Sequence, residues 1–411
     1  MQTIDLKDPA RRRALLTGGG LAALAAVPGA SWADGVRTDP PAKATVAGGK
    51  ALPEYAAWKD ADAMIVHSAN TIELRRQDFG HSAITPSDRL YVRNNLNPPS
   101  ADIVKNPDAW TLEVSGVAKP AKLTLADLKR LGLSAVTMVL QCSGNGRAWF
   151  PHKPSGTQWT VGAAGCVVFA GVPVKDIIQA CGGMAGDMKY MTGTGGEILP
   201  EGLDPKTLMV ERSVPLAAME DAILAWELNG EPLPLAHGGP LRMIVPGYMG
   251  VNNVKYIKHL ALTAEQSPAK IQQSSYRFSA VGEKGTPDHP SIWEMPVNSW
   301  ITSPFDPAQP LSAGRVQITG VGLGGFHALK GVEISLDGGE TWQAAQNFGP
   351  DMGRYAWRTF VLGVDLKPGK YRIASRATNE HGDTQPKERQ ENNRGYNNNS
   401  WLDHSIELEV V

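Results

Sequence analysis

Alternation of apolar and polar side chains marks strands at several points along the chain. Residues 110–114, Trp110-Thr111-Leu112-Glu113-Val114, alternate, and Val136, Met138 and Leu140 alternate with smaller or polar neighbours. Each segment would bury one face of a sheet. Helical spacing is rarer. Residues 123–130 read as a short amphipathic helix with Thr124 near its N-cap, and residues 175–180 as a helix that Gly182-Gly183 would stop. Residues 71–76 form an early strand or a short helix, and Thr85-Pro86-Ser87-Asp88 is a turn signal before residues 89–95. From about Met295 the texture becomes short alternating strands between turns. They fall at residues 315–318, 332–336, 356–360, 370–374 and 406–410, with Asp337-Gly338-Gly339 closing a hairpin onto residues 340–344. That count suits an immunoglobulin-like sandwich following a mixed α+β domain.

The N-terminus has a different pattern. Arg11-Arg12-Arg13 precede Ala14-Leu15-Leu16, three glycines and an apolar run over residues 21–27, with Ser31-Trp32-Ala33 closing it. This is an export signal with cleavage after Ala33, too short and glycine-rich to span a membrane. The paired arginines point to the twin-arginine route, which carries folded proteins into the periplasm; the Sec route is the alternative. Residues 34–50 are a flexible lead-in, residues 51–295 one domain and residues 296–411 a second.

Composition narrows the function classes. The 411 residues, 42% hydrophobic, suffice for two or three domains with full cores. A formal net charge of -1 without long basic runs argues against nucleic-acid binding. The nine histidines show no zinc-site spacing. Three cysteines, Cys142, Cys166 and Cys181, allow at most one disulfide, and none lies in a C-x-x-C-H sequence, so no covalent haem is expected on this chain.

Candidate chemistry concentrates in two stretches. In the first, Val139-Leu140-Gln141-Cys142-Ser143-Gly144-Asn145-Gly146-Arg147, an apolar strand runs into a glycine-broken loop with one thiol and one guanidinium. Cys142 reads either as a small core residue or as a soft metal ligand beside an anion-binding Arg147. In the second, residues 237–250 followed by Asn252-Asn253-Val254-Lys255, the groups His237, Arg242 and Lys255 lie beside a strand and a glycine turn. They suit a phosphate-bearing cofactor; the alternative is a surface hairpin with incidental charges.

These two stretches, in this order, resemble the cysteine loop and the second cofactor stretch of the sulfite oxidase family of molybdenum enzymes. The resemblance extends over roughly residues 50–411 and implies a molybdenum–molybdopterin cofactor with Cys142 as the metal ligand. It implies that Arg93, Arg147 and Arg394 hold an oxyanion, that Trp159 lines the substrate pocket, and that Tyr276 sits beside the metal and assists proton transfer. Tyr91, Val92, Asn94, Asn95, His237, Arg242, Asn253 and Lys255 would bind the pterin, and the sandwich would serve homodimerisation. Asn95 stands where animal members carry His, and Gly146 replaces the first of two adjacent arginines.

Within the family the chain is most similar to the sulfane dehydrogenase branch of bacterial sulfur-oxidising systems. That similarity implies oxidation of sulfane sulfur on a carrier protein during thiosulfate breakdown. Electrons would pass to a dihaem c-type cytochrome subunit in an α2β2 assembly. Three rivals stand beside it: a periplasmic sulfite dehydrogenase using cytochrome c, a cysteine-nucleophile hydrolase with His152 as the nearby base, and a non-catalytic binding module.

Overall fold

A computed structural model describes residues 50–305 and 309–411. The stretch expected to be a signal, residues 1–33, and nearly all of the expected lead-in lie outside the described residues. The alternating segments become three sheets before residue 297. Thr111–Ser115 lies between Ala121–Thr124 and the parallel strand Ile257–Thr263, and Tyr190–Gly195 and Glu211–Pro215 complete five strands. A second sheet pairs Ser134–Gln141 with Ala164–Pro173 in unbroken antiparallel register, then Ile223–Leu228, which carries Glu231–Pro232 and Arg242–Ile244. Leu112, Leu260, Val172, Leu224 and Met243 interlock in a single buried core between these sheets. A small third sheet of Met64–Ser68, Thr71–Leu74 and Val92–Arg93 holds Arg93 opposite Thr71. Of the segment 89–95, only Val92–Arg93 is strand.

Local signals account for the helices. Leu125–Leu131 begins with a full capping box: Thr124 Oγ1 accepts from the Asp127 N–H, and the Asp127 carboxylate accepts from the Thr124 N–H at 2.8 Å. Thr124→Ala should lower stability by about 1 kcal/mol, read from the shift in urea midpoint at unchanged slope. The second helix, Val174–Ala180, starts one residue earlier than its spacing indicates and ends before Gly182.

The C-terminal part is a sandwich of two four-stranded sheets. One orders Asn298–Ser303, Gly314–Leu323, Arg358–Leu366 and Gln346–Phe348; the other orders Gln343–Ala344, Leu329–Ser335, Gly369–Asn379 and Ile406–Val410. Ile318, Phe360, Ile334 and Ile373 fill the space between them. Ala356 and Trp357 were expected in a strand but precede it. The Trp357 ring instead meets Phe79 edge-on at 5.5 Å, and its indole N–H donates to the Ala83 carbonyl. With Trp300, which meets Phe79 at 5.3 Å, it forms a shared core joining the sandwich to the N-terminal sheets.

The asparagine-rich segment 392–400 is not a solvated loop. Asn392 and Asn398 are buried. The Asn397 N–H donates to the Ser143 carbonyl and Asn398 Nδ2 to the Gly146 carbonyl, both at 2.9 Å, so this segment is seated on the cysteine loop. Among the described residues no helix is long and apolar enough to cross a membrane.

Candidate active site

The hairpin of Ser134–Gln141 and Ala164–Pro173 carries the cysteine loop as its connection. Cys142 lies just past the strand end, its N–H bonded to the Ala163 carbonyl at 2.9 Å, and Arg147 opens a short turn after Gly146. Both glycines are required. A Cβ on Gly144 would lie 2.2 Å from Arg147 Nη2; Gly146 has φ +83°, and a Cβ there would press on Asn398. All three cysteines are free thiols within the interior. Burial pushes the Cys166 thiol up to about 12, so it is an inert core group.

Two cavities meet at Cys142. The inner one is lined by Tyr91, Arg93, Asn94, Asn95, Cys142, His237, Arg242, Asn253, Lys255 and Tyr276, all expected from the sequence. The outer one, about 250 Å³, is lined by Arg147 and Arg394, and shares Arg93, Asn95, Cys142 and Tyr276 with the inner. Segments from residues 91 to 396 therefore converge on one thiol.

The inner cavity is a buried cation cluster. Lys255 Nζ donates to Asn94 Oδ1 and the Ala236 carbonyl, both at 2.6 Å; Arg242 donates to the Asn253 carbonyl at 3.1 Å and the His237 carbonyl at 2.9 Å. Behind them Lys59 Nζ lies 2.9 Å from His237 Nε2 and donates to the Ser87 and Leu90 carbonyls. Burial is the main reason that Lys59 falls to about 7, Arg242 to about 10, and His237 and Lys255 well below their ordinary values; mutual repulsion adds to it for His237 and Lys255. The single carboxylate lining this cavity, Glu197, is raised by burial to about 7 despite Lys255 and Lys258 nearby. Cations gathered in an apolar interior with so little counter-charge are costly unless an anion completes them.

At the outer cavity the arginines are held differently. Arg147 Nε donates to the Arg394 carbonyl and Nη1 to the Thr157 carbonyl, both at 2.8 Å, leaving Nη2 without a protein acceptor among the described residues. Arg394 Nη1 donates to Ser155 Oγ at 2.7 Å. Arg93 Nη2 donates to Asn95 Oδ1 at 2.8 Å, and the Tyr276 hydroxyl reaches the same oxygen at 3.3 Å. For Arg93 desolvation acts to lower the pKa, but the acidic groups Tyr276 and Cys142 outweigh it and hold the guanidinium charged. Tyr276 stacks on Tyr396 with ring centroids 5.1 Å apart.

Two expected residues stand elsewhere. Trp159 is fully buried behind Tyr91, ring centroids 6.3 Å apart, and against His67 at 5.3 Å, so it lines neither cavity; the indole fills core there. The Val92 side chain is likewise core, its strand paired to Ile72, so any role toward a ligand falls to its neighbours. His152, the base a hydrolase would need, lies 3.6 Å from Glu391 and lines neither cavity. Conversely, Lys59, Glu197 and Ser143 were not singled out. Lys59 sits in an unremarkable Trp-Lys-Asp run and reaches His237 only through the fold. Glu197 lies in a glycine-rich stretch after Met191 that matches no phosphate-binding motif and reaches the cavity only through the fold.

The model of the oxidoreductase molybdopterin binding domain matches residues 98–271, and that of the Mo-co oxidoreductase dimerisation domain matches residues 289–409. The chain is 33% identical to the mitochondrial sulfite oxidase of Rattus norvegicus over 352 residues, 80% of this chain and 62% of that protein. It is 32% identical to the sulfite oxidase of Gallus gallus, over 74% of this chain and 68% of that protein. It therefore spans about three fifths of the rat protein's length. The crystal structure of the sulfane dehydrogenase SoxCD from Paracoccus pantotrophus shares the fold at TM-score 0.70 and 23% identity, over 93% of this chain and 96% of that one.

Fold and site thus define a molybdopterin-binding protein. The chain belongs to the sulfite oxidase family, with its α+β molybdopterin domain followed by an all-β dimerisation domain. The residues present fit a molybdenum–molybdopterin group. Ser143 Oγ and Glu197 Oε2 line the inner cavity as buried polar atoms without partners, and the surplus of cations suits a phosphate. A Cβ on Gly250 would lie 3.0 Å from the Tyr91 hydroxyl and 2.9 Å from the Gln141 carbonyl, at the wall of the same cavity.

Proposed function

We propose that the chain is the molybdenum subunit of a sulfane dehydrogenase that oxidises sulfane sulfur held on a carrier protein, with a c-type cytochrome as electron acceptor. The observation that carries this reading is the outer cavity: at about 250 Å³ and open to solvent, it has room beyond a single sulfite ion for the end of a cysteine-linked chain, while Arg93, Arg147 and Arg394 line it. When bound, the molybdenum cofactor supplies two-electron oxidation of sulfur with oxygen derived from water.

The chain's own groups do the rest. Lys255, Arg242 and His237 hold the cofactor's phosphate and pterin edge; Tyr91, Asn94, Asn95 and Asn253 shape the cavity around it. Asn253 does so indirectly, because its side chain is spent on the Val245 N–H and the Tyr248 and Met249 carbonyls. Cys142 supplies a thiolate to the metal. The guanidinium groups orient the anion and stabilise the oxygens gained on sulfur. The Tyr276 hydroxyl, tethered to Asn95, holds a proton at the same spot.

This reading includes a homodimer made through residues 296–411, a dihaem cytochrome partner, and export by the twin-arginine route with cleavage after Ala33. The catalytic domain would then be residues 51–295. Steady-state turnover with cytochrome c as acceptor should favour carrier-bound sulfane over free sulfite by about tenfold or more in kcat/KM, a difference of ~1.4 kcal/mol in transition-state binding. A preference for sulfite would establish the second reading, a sulfite dehydrogenase, which the sulfite oxidases among the relatives favour.

A further inference from the structure

We propose that His327, His381 and Asp383, on the sandwich domain, form a binding site for a divalent transition cation, zinc being the simplest occupant. One ligand atom from each residue lies within 4.8 Å of the other two, the one such grouping of His, Cys, Asp and Glu among the described residues. The donors come from two turns distant in sequence. His327 follows the strand ending at Leu323, and His381 and Asp383 follow the strand ending at Asn379. The imidazole rings lie side by side, centroids 4.7 Å apart and planes 10° apart, so tilting the exposed His381 ring would bring a nitrogen of each onto one ion.

The turns are braced around that position. Buried Asn379 donates through Nδ2 to Asp383 Oδ2 at 3.0 Å and to the Gly324 carbonyl at 3.1 Å, and its Oδ1 accepts from the Asp383 N–H at 2.9 Å. One amide thus orients the carboxylate and links both turns, the role that outer hydrogen bonds play around metal ligands. His381 and Asp383 are exposed and His327 half-buried, so an ion has access and water can complete its coordination. Two imidazoles and one carboxylate suit zinc, nickel or copper(II), not calcium or magnesium, which take all-oxygen sets.

An ion here would stiffen a junction. Phe326, beside His327, meets Tyr248 of the molybdopterin domain at 5.8 Å, and the Arg354 guanidinium lies 4.6 Å above its ring. Pinning the His327 turn to the His381 turn would hold this aromatic contact in place.

The test is equilibrium dialysis of the untagged, molybdenum-loaded full chain against zinc chloride in chelator-free buffer, with bound metal read by elemental analysis. One saturable zinc per chain is expected, with affinity about 10-fold weaker in Asp383→Asn and about 100-fold weaker in His327→Ala/His381→Ala. Cobalt(II) titration gives a second readout: nitrogen-ligated visible bands in the wild type, absent from the double variant. Molybdenum content and circular dichroism report whether the variants fold; if the double variant does not, Asp383→Asn decides. No saturable zinc in the wild type would overturn the proposal, as would wild-type affinity in folded variants.

Discussion

Cys142→Ser should lose turnover by at least about 100-fold while keeping its pterin. The thiol sits where the inner and outer cavities meet, and no other cysteine lines either one. A serine hydroxyl matches the thiol in shape, so the packing around residue 142 and the Ala163 bond to its N–H would survive. What changes is ligand chemistry: an alcohol is harder and far less acidic than a thiol, and a soft anionic donor is lost. The cations of the inner cavity are untouched, so the cofactor's phosphate should still be held. A hundredfold fall corresponds to ~2.7 kcal/mol of lost transition-state stabilisation. Elemental analysis and pterin fluorescence should therefore find the organic part of the cofactor retained alongside failed turnover. A variant that turns over at more than a tenth of the wild-type rate would remove Cys142 from the chemistry.

How far such a site could be seen beforehand varied with the range of the forces involved. The strand at Ile406–Val410 was legible residue for residue, because a half-buried strand writes its environment into every second side chain. The cysteine loop was legible as a glycine-broken turn with a thiol and a guanidinium. That two of Arg147's three nitrogens would be spent on backbone carbonyls was not, since one of those carbonyls belongs to Arg394, 247 positions away.

Trp159 shows the same limit from another side. An indole satisfies a pocket wall and a core equally well, and only its packing against His67 and Tyr91 decides between them. Ala356 and Trp357 carried the right residue types for a strand, but the junction with Phe79 and Ala83 claimed the indole first. Lys59 left no local trace at all. Its importance lies in a neighbour 178 positions away and in a burial that the charge of Asp88 only partly offsets.

That burial gives the cofactor-free chain an unusual alkaline response. Lys59 titrates near 7 in the folded chain, through burial, and near 10.4 when unfolded, so between those values the unfolded chain binds more protons. Stability must then rise with pH across this window. Lys255, lowered in the same direction, adds to the slope. Glu197 works oppositely, since its raised carboxyl makes stability fall between its unfolded value and about 7, and the buried Cys166 thiol does the same above about 8.5, so the rise is clean between pH 7 and pH 8. From pH 7 to pH 8 Lys59 alone should contribute ~1 kcal/mol, measured as unfolding free energy by urea titration of cofactor-free protein. Binding a phosphate-bearing cofactor stabilises the ammonium forms and restores their ordinary titration, so loaded protein should be flat over the same range. Lys59→Met should flatten the cofactor-free curve by Lys59's share and weaken cofactor retention. An equal slope with and without cofactor would mean that the anion does not reach this cluster, and the assignment of the inner cavity would fail with it.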